Sequence, residues 1–408
     1  MPRRASVKKE MDTDVIVIGG GMVGLALACA LRDTDLHVTV IERAGTEPFE
    51  TLGRDCRVSA IVAGNVDILR GLGVWAHLEA DAEPIRTMRI WDHQHEGSIR
   101  FEAGEIGLDA LGHLVENSHL QAAMLEVLHD APRVEVICPA EVSNVQWAAD
   151  RVTVTLEGGR VMAAPLIVGA DGGRSWLREQ AGIGLCIRRP YHQKGIVATV
   201  RPRLPHHGVA FQRFLPTGPL AFLPMTDNLC SIVWSADDTE ADRLMALDDE
   251  AFLEALNLAF GPVLGRIEET GARAAFPLQA QLAAHLVRDR LALIGDAAHT
   301  VHPLAGLGVN LGLRDAMVLA QEIVDARRYG EDIGDMSVLR RYTRLRLPDV
   351  LSVMASMEGF HQLFTRDLPL LPRLRGLGMR LAGNSGVFKQ LLMRNSTGIS
   401  LPVPKQIS

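Results

Sequence analysis

Residues 14–43, DVIVIGGGMVGLALACALRDTDLHVTVIER, constrain the fold more than any other stretch. Val15 to Ile18 is an unbroken apolar, β-branched run, the pattern of a parallel strand covered on both faces. The run ends in glycines. An apolar, helix-like stretch follows from Met22 to Leu31, and Val38 to Ile41 supplies a second strand, so the segment predicts a βαβ unit. Gly19, Gly21 and Gly24 form GxGxxG at its turn: the first permits the tight turn, the second lets the backbone approach a pyrophosphate, and the third lets helix pack closely on strand. The helix N-terminus offers unpaired N–H groups to that anion. Glu42, about twenty residues on, closes the second strand where a carboxylate can accept hydrogen bonds from a ribose, with Arg43 beside it.

No second GxGxxG follows a later strand, which argues for one tightly held dinucleotide rather than two Rossmann domains. Two further strand-to-acid junctions are present. Leu166 to Val168 runs into Gly169, Asp171 and Gly172, and Leu291 to Ile294 runs into Gly295 and Asp296. Val152 to Leu156 alternates like a half-buried strand, and Gly158-Gly159 marks a hairpin turn. Between about 188 and 288, short β-like segments (GIVATV, GVAFQRFLP, LAFLPM, CSIVWS) indicate a separate, mostly antiparallel sheet inserted into the dinucleotide unit. The expected fold class is α/β: a Rossmann-like dinucleotide-binding domain with an inserted β-rich substrate domain and a helical C-terminus. Its divisions are 12–187 with 287–345, carrying a small excursion near 86–111, then 188–286, and finally 346–408.

Other classes are excluded. Of 408 residues 47% are apolar and 22% charged, as in a globular protein, and no apolar run approaches the length of a membrane span. A net charge of −7 gives no global basic field for nucleic acid. The five cysteines are scattered, and MPRRASVKKE leads into no apolar signal region, so a reducing, cytoplasmic setting is expected. His299 and His302 have no nearby third ligand, and no metal is expected.

The order GxGxxG, GADG, then GDAAH…P…GxGxN resembles the single-component FAD-dependent aromatic hydroxylases of the para-hydroxybenzoate hydroxylase type, over nearly the whole chain from Asp12. The resemblance implies that Gly19, Gly21, Gly24 and Glu42 hold the ADP half of FAD, that Asp171 and Gly172 lie near flavin and nicotinamide, and that Gly295 and Asp296 bind the ribityl chain. It assigns Pro303 to the flavin face, and Gly306, Gly308, Val309 and Asn310 to a loop along the flavin edge that leads into a helix from Leu311. Pro303 and Gly308 then position the flavin, with no side-chain acid or base. Arg57, with Arg54 second, belongs beside the flavin and its pyrophosphate, and Gln121 on a helix that contacts FAD. Reduction would come from NADH, NADPH or another donor, and O₂ would be the co-substrate, by way of a flavin C4a-hydroperoxide.

Within that family, FQRFLPTGPLAFLPM and the C-terminal VFKQLLMRNSTG narrow the resemblance to the ubiquinone-biosynthesis hydroxylases, which act on a polyprenylated phenol. Phe211, Phe222, Pro224 and Trp234 are expected to face the flavin as an apolar substrate cavity. Between His361 and Arg394, six basic residues stand against the single Asp367, interleaved with Leu, Met and Phe. That composition suits a membrane surface at its inner face, or a quinone-biosynthesis complex, and equally a helical subdomain with solvated arginines. A same-fold reductase of isoprenoid double bonds and a non-catalytic FAD-holding scaffold remain as alternatives.

Overall fold

The computed structural model describes residues 13–44, 50–51, 54–92, 98–301 and 307–365, together with residues 390 and 397. His302, Pro303, Gly306 and nearly all of the basic C-terminal segment lie outside them.

The central sheet runs in the order Val134–Ile137, Val38–Ile41, Val15–Ile18, Leu166–Gly169, Leu291–Leu293, Val287–Arg288, and only the last pairs antiparallel. Val15–Ile18 at its centre is 0 to 8% exposed, as a strand covered on both faces must be. On one face the Met22–Leu31 helix packs against Asn117–His129 and the long helix Leu307–Arg328. That long helix begins one turn before the expected Leu311, so Gly308, Val309 and Asn310 are helical rather than in a loop. Close packing explains Gly312 in the next turn: a Cβ there would lie 2.5 Å from Val23 Cγ2 on the first helix. A final helix, Met336–Thr365, passes through residue 346 and carries Pro348 internally.

The second sheet runs His299–Thr300, Ala274–Ala283, Leu185–Pro202, Leu229–Asp237, Gly218–Met225, Val209–Leu215, Thr87–Asp92, Ser98–Glu102, with Ile267–Thr270 also paired to Leu185–Pro202. It is antiparallel except where Val209–Leu215 runs beside Thr87–Asp92. Its two faces differ. One meets the helices Asp238–Ala246 and Asp249–Phe260 over a core that includes Phe211, Leu220, Phe222, Ile232, Trp234, Phe252 and Phe260. The other packs Ala210, Met225 and Leu229 against Ile85 and Leu114 of a small sheet formed by Val58–Val62, Gly112–Glu116 and Glu83–Ile85.

This geometry corrects the face assigned to the aromatic residues. Phe222 is 0% exposed and stacks on Phe260 with ring centroids 3.8 Å apart, while Trp234 lies 6.2 Å from Phe252. Phe211 pairs with Phe222 across the ladder and shares its face, as does Pro224, two residues along the same strand. All four point to the helices. Strand alternation cannot say which of two apolar faces meets the cofactor, because both faces are covered.

Candidate active site

Four of the expected motifs lie at the carboxyl ends of adjacent parallel strands, in a line across the sheet. Ile18 pairs with Ile41 on one side and Gly169 on the other, and Gly169 pairs with Leu293. The ladder continues into the turns: Gly19 N donates to Ile41 O at 2.9 Å, Ala170 N to Ile18 O at 2.8 Å, and Ile294 N to Gly169 O at 2.9 Å. Glu42, Gly19–Gly21, Asp171 and Gly295–Asp296 are therefore neighbours on one crevice edge, where open α/β sheets bind ligands.

The glycine turn has the shape a diphosphate requires. Gly24 must lack a side chain, since its Cβ would sit 2.0 Å from Gly19 O. Around Gly21, by contrast, a Cβ would find nothing within 4 Å. The helix it opens has no side-chain cap and no acidic residue in its first turn, so its N-terminal dipole and N–H groups face open space. Glu42 accepts from Gly20 N at 2.6 Å and Ala44 N at 2.9 Å; a carboxylate with about four acceptor positions still has room for ribose hydroxyls. Gln121 Nε2 donates to Gly20 O at 3.4 Å, tying its helix to the turn. Arg43 is exposed beside Glu42.

Asp171 uses one oxygen to accept from Leu177 N at 3.0 Å; its other, Oδ1, is buried without a hydrogen-bond partner in the protein. Gly172 beside it holds φ at +80°. Asp296 is exposed at the crevice mouth, yet protein crowds it. That crowding raises its carboxyl above the ordinary range, His299 opposing and Asp315 adding to the rise. Gly308 lies against it: a Cβ there would be 3.9 Å from Asp296 Oδ1. Gly308, Val309 and Asn310 form the first turn of the long helix, whose N–H groups point out of the helix end. The Asn310 side chain is occupied elsewhere, accepting from Val62 N at 3.0 Å and Asn65 Nδ2 at 3.0 Å, and donating to Ala60 O at 2.7 Å. Arg57, its side chain 51% exposed, is held by the buried Asp55 at 3.3 Å.

The open space at Gly21, the uncapped helix and the orphaned Asp171 oxygen fit a bound FAD. Residues 12–356 match the family described as FAD binding domain. The chain belongs to that family. This FAD-binding protein is 38% identical to ubiquinone hydroxylase UbiL of Rhodospirillum rubrum, over 94% of its own length and 89% of that protein. It is 37% identical to 3-demethoxyubiquinol 3-hydroxylase of Escherichia coli, over 95% and 99% respectively. Its fold matches the crystal structure of p-nitrophenol 4-monooxygenase PnpA from Pseudomonas putida with a TM-score of 0.79 at 19% identity, covering 96% of this chain and 99% of that one. The expected fold class and FAD as cofactor are thereby borne out.

Sequence reading missed the buried polar supports of the FAD-binding protein. Arg178, 4% exposed, donates to Gly173 O at 3.1 Å and Ala297 O at 2.8 Å, bracing two motif turns together. His299 is 2% exposed, with Nε2 2.7 Å from the fully buried Asp315. The available signal was a charged pair, Arg314-Asp315, inside an otherwise apolar helical run.

The site predicts unequal losses. Asp296→Ala removes a crevice-facing carboxylate that makes no hydrogen bond among the described residues, at about 1.5–3 kcal/mol for a charged hydrogen bond, so FAD affinity falls about tenfold to a hundredfold. Asp171→Ala leaves FAD weaker by less, because one oxygen serves the Leu177 N–H. Fluorescence titration of apoprotein with FAD checks the order, and a larger loss from Asp171→Ala reverses the assignment.

Proposed function

We propose that this flavoprotein is a monooxygenase that hydroxylates the aromatic ring of a polyprenylated phenol in ubiquinone biosynthesis. The observation that carries the reading is the joining of the two sheets at one place. The Gly295–Ala297 turn leads directly into His299–Thr300, which is a strand of the second sheet, so the candidate ribityl site and that sheet are one continuous piece of chain. The ring to be hydroxylated is supported by the names of the relatives and by the motif resemblance.

Bound in the crevice, FAD supplies the activation of O₂, with one oxygen atom going to the ring and the other leaving as water at the expense of NADH, NADPH or another reductant. The chain's own task is placement and exclusion of water. Gly21 and the helix N-terminus take the pyrophosphate, Glu42 the ribose and Asp296 the ribityl hydroxyls; Gly308 and Val309 offer backbone N–H groups to the flavin edge. The non-helical face of the second sheet presents partly exposed Met88, Ile90, Ala221, Leu223 and Val233, an apolar surface for the ring and its tail. A dry surface of this kind protects oxygen transfer from loss as peroxide.

Incubation with a short-chain prenylphenol, NAD(P)H and ¹⁸O₂ tests the proposal. Substrate-dependent oxygen uptake with one labelled atom in the ring is the expected result; reduction of a prenyl double bond without oxygen uptake would establish the reductase instead. Among the described residues no helix is long and apolar enough to cross a membrane. Access to a lipid-borne substrate is therefore proposed to run through contact of residues 361–394 with a membrane surface or a quinone-biosynthesis complex, to be checked by co-sedimentation with anionic vesicles.

A further inference from the structure

Asp315 lies on the long helix Leu307–Arg328, fully buried, and its carboxylate has three donors. Oδ2 accepts from Gly295 N at 2.9 Å and lies 2.7 Å from His299 Nε2; Oδ1 accepts from Arg346 Nε at 2.7 Å. Arg346, 4% exposed, is itself fixed by Asp349 at 2.6 Å and by Leu311 O at 3.4 Å. Burial alone would raise the Asp315 carboxyl, but His299 and Arg346 outweigh it and hold it below the usual range. The group is a fixed anion.

An ion network this deep is no more stabilising than well-packed apolar side chains of the same volume, so stability alone does not account for it. Its arrangement does. Two of the three donors, Gly295 and His299, flank Asp296 in sequence. Between them Ala297 O accepts from the Arg178 guanidinium at 2.8 Å. The short turn Gly295–Ala297 has no side-chain cap, and Gly295 sits in the left-handed region at φ +58°. It is thus gripped at 295, 297 and 299 by buried charged side chains, while Asp296 alone faces the crevice.

We infer that Asp315 is the positioning residue for Asp296, with His299 as its second attachment to the turn, setting the carboxylate in line with the ribityl hydroxyls of FAD. This rests on the reading of Asp296 as the ribityl ligand. Neither Asp315 nor His299 meets the cofactor; both act through the backbone of the turn.

The test separates the two halves of the cofactor. ADP reports only the glycine turn and Glu42, whereas FAD also reports the ribityl contact. Apoprotein from the full chain and from His299→Ala, His299→Gln, Asp315→Asn and Asp296→Ala is titrated with each. His299→Ala is expected to weaken FAD about tenfold, the worth of one charged hydrogen bond, with ADP affinity unchanged within twofold. His299→Gln, which keeps a donor, restores most of the loss. Asp315→Asn exceeds His299→Ala in the same direction; should it fail to fold, the His299 pair alone decides the matter. Parallel weakening of FAD and ADP in His299→Ala, or no FAD loss, overturns the positioning role. If Asp296→Ala itself fails to separate FAD from ADP, the ribityl reading falls first; if Asp296→Ala separates them and His299→Ala does not, only the positioning role falls.

Discussion

Gly21→Val yields a folded, colourless protein. Gly21 holds φ −70° and ψ 178°, extended backbone open to valine, and a Cβ there meets no atom within 4 Å beyond its chain neighbours. The fold therefore has no objection. The space entered is the one a pyrophosphate needs in order to reach the uncapped helix N-terminus, and branched carbon there holds the diphosphate off its N–H donors. Loss of that contact is expected to weaken FAD by more than a hundredfold, about 3 kcal/mol. Flavin absorbance after gel filtration and the thermal midpoint check both parts; a yellow variant with unaltered FAD affinity would show that the cofactor does not approach this turn. Gly24→Val gives the opposite pattern, because its Cβ collides with Gly19 O and damages the fold itself.

Phe222→Ala is expected to cost about 3–5 kcal/mol, a large part of the roughly 5–15 kcal/mol that holds a typical domain together. The ring is 0% exposed, stacked on Phe260, and enclosed between sheet and helices with no solvent to fill the vacancy. Because it points away from the crevice, peroxide released per NAD(P)H oxidised stays at the wild-type ratio in whatever fraction remains folded. A denaturant titration and a peroxide assay decide it. Normal stability together with raised peroxide would return Phe222 to the substrate side.

The contrast between these two positions shows where sequence reading succeeds and where it stops. Val15–Ile18, Met22–Leu31 and Val38–Ile41 were legible to the residue, because a parallel strand, a glycine turn and a tightly packed helix each leave little freedom in local residue choice. Asp171 and Asp296 were legible as strand-end acids. The face of Phe222 was not, since alternation along a strand covered on both sides carries no label for which side is which. Nor was the pairing of Asp315 with His299 and Arg346, which unites residues 16 and 31 positions apart through tertiary packing alone. The start of the long helix at Leu307 was hidden by Gly308, which read as part of a loop and proves to lie beside Asp296, while Gly312 one turn on is the contact point for Val23.

The order of strands in the central sheet also sets a timetable for synthesis. Val15–Ile18 emerges first, yet its inner neighbour Leu166–Gly169 and the next strand, Leu291–Leu293, follow about 150 and 275 residues later, roughly 14–55 s for the second at 5–20 residues per second. All of the second sheet except His299–Thr300 is made within that interval, and several of its ladders join strands close in sequence, as Val209–Leu215 does with Gly218–Met225 and Gly218–Met225 with Leu229–Asp237. Low sequence separation closes quickly. On the ribosome these local hairpins thus form while the cofactor-binding sheet still exposes the apolar edge of Leu166–Gly169, and a chain halted before residue 291 leaves that edge available to chaperones or to another nascent copy.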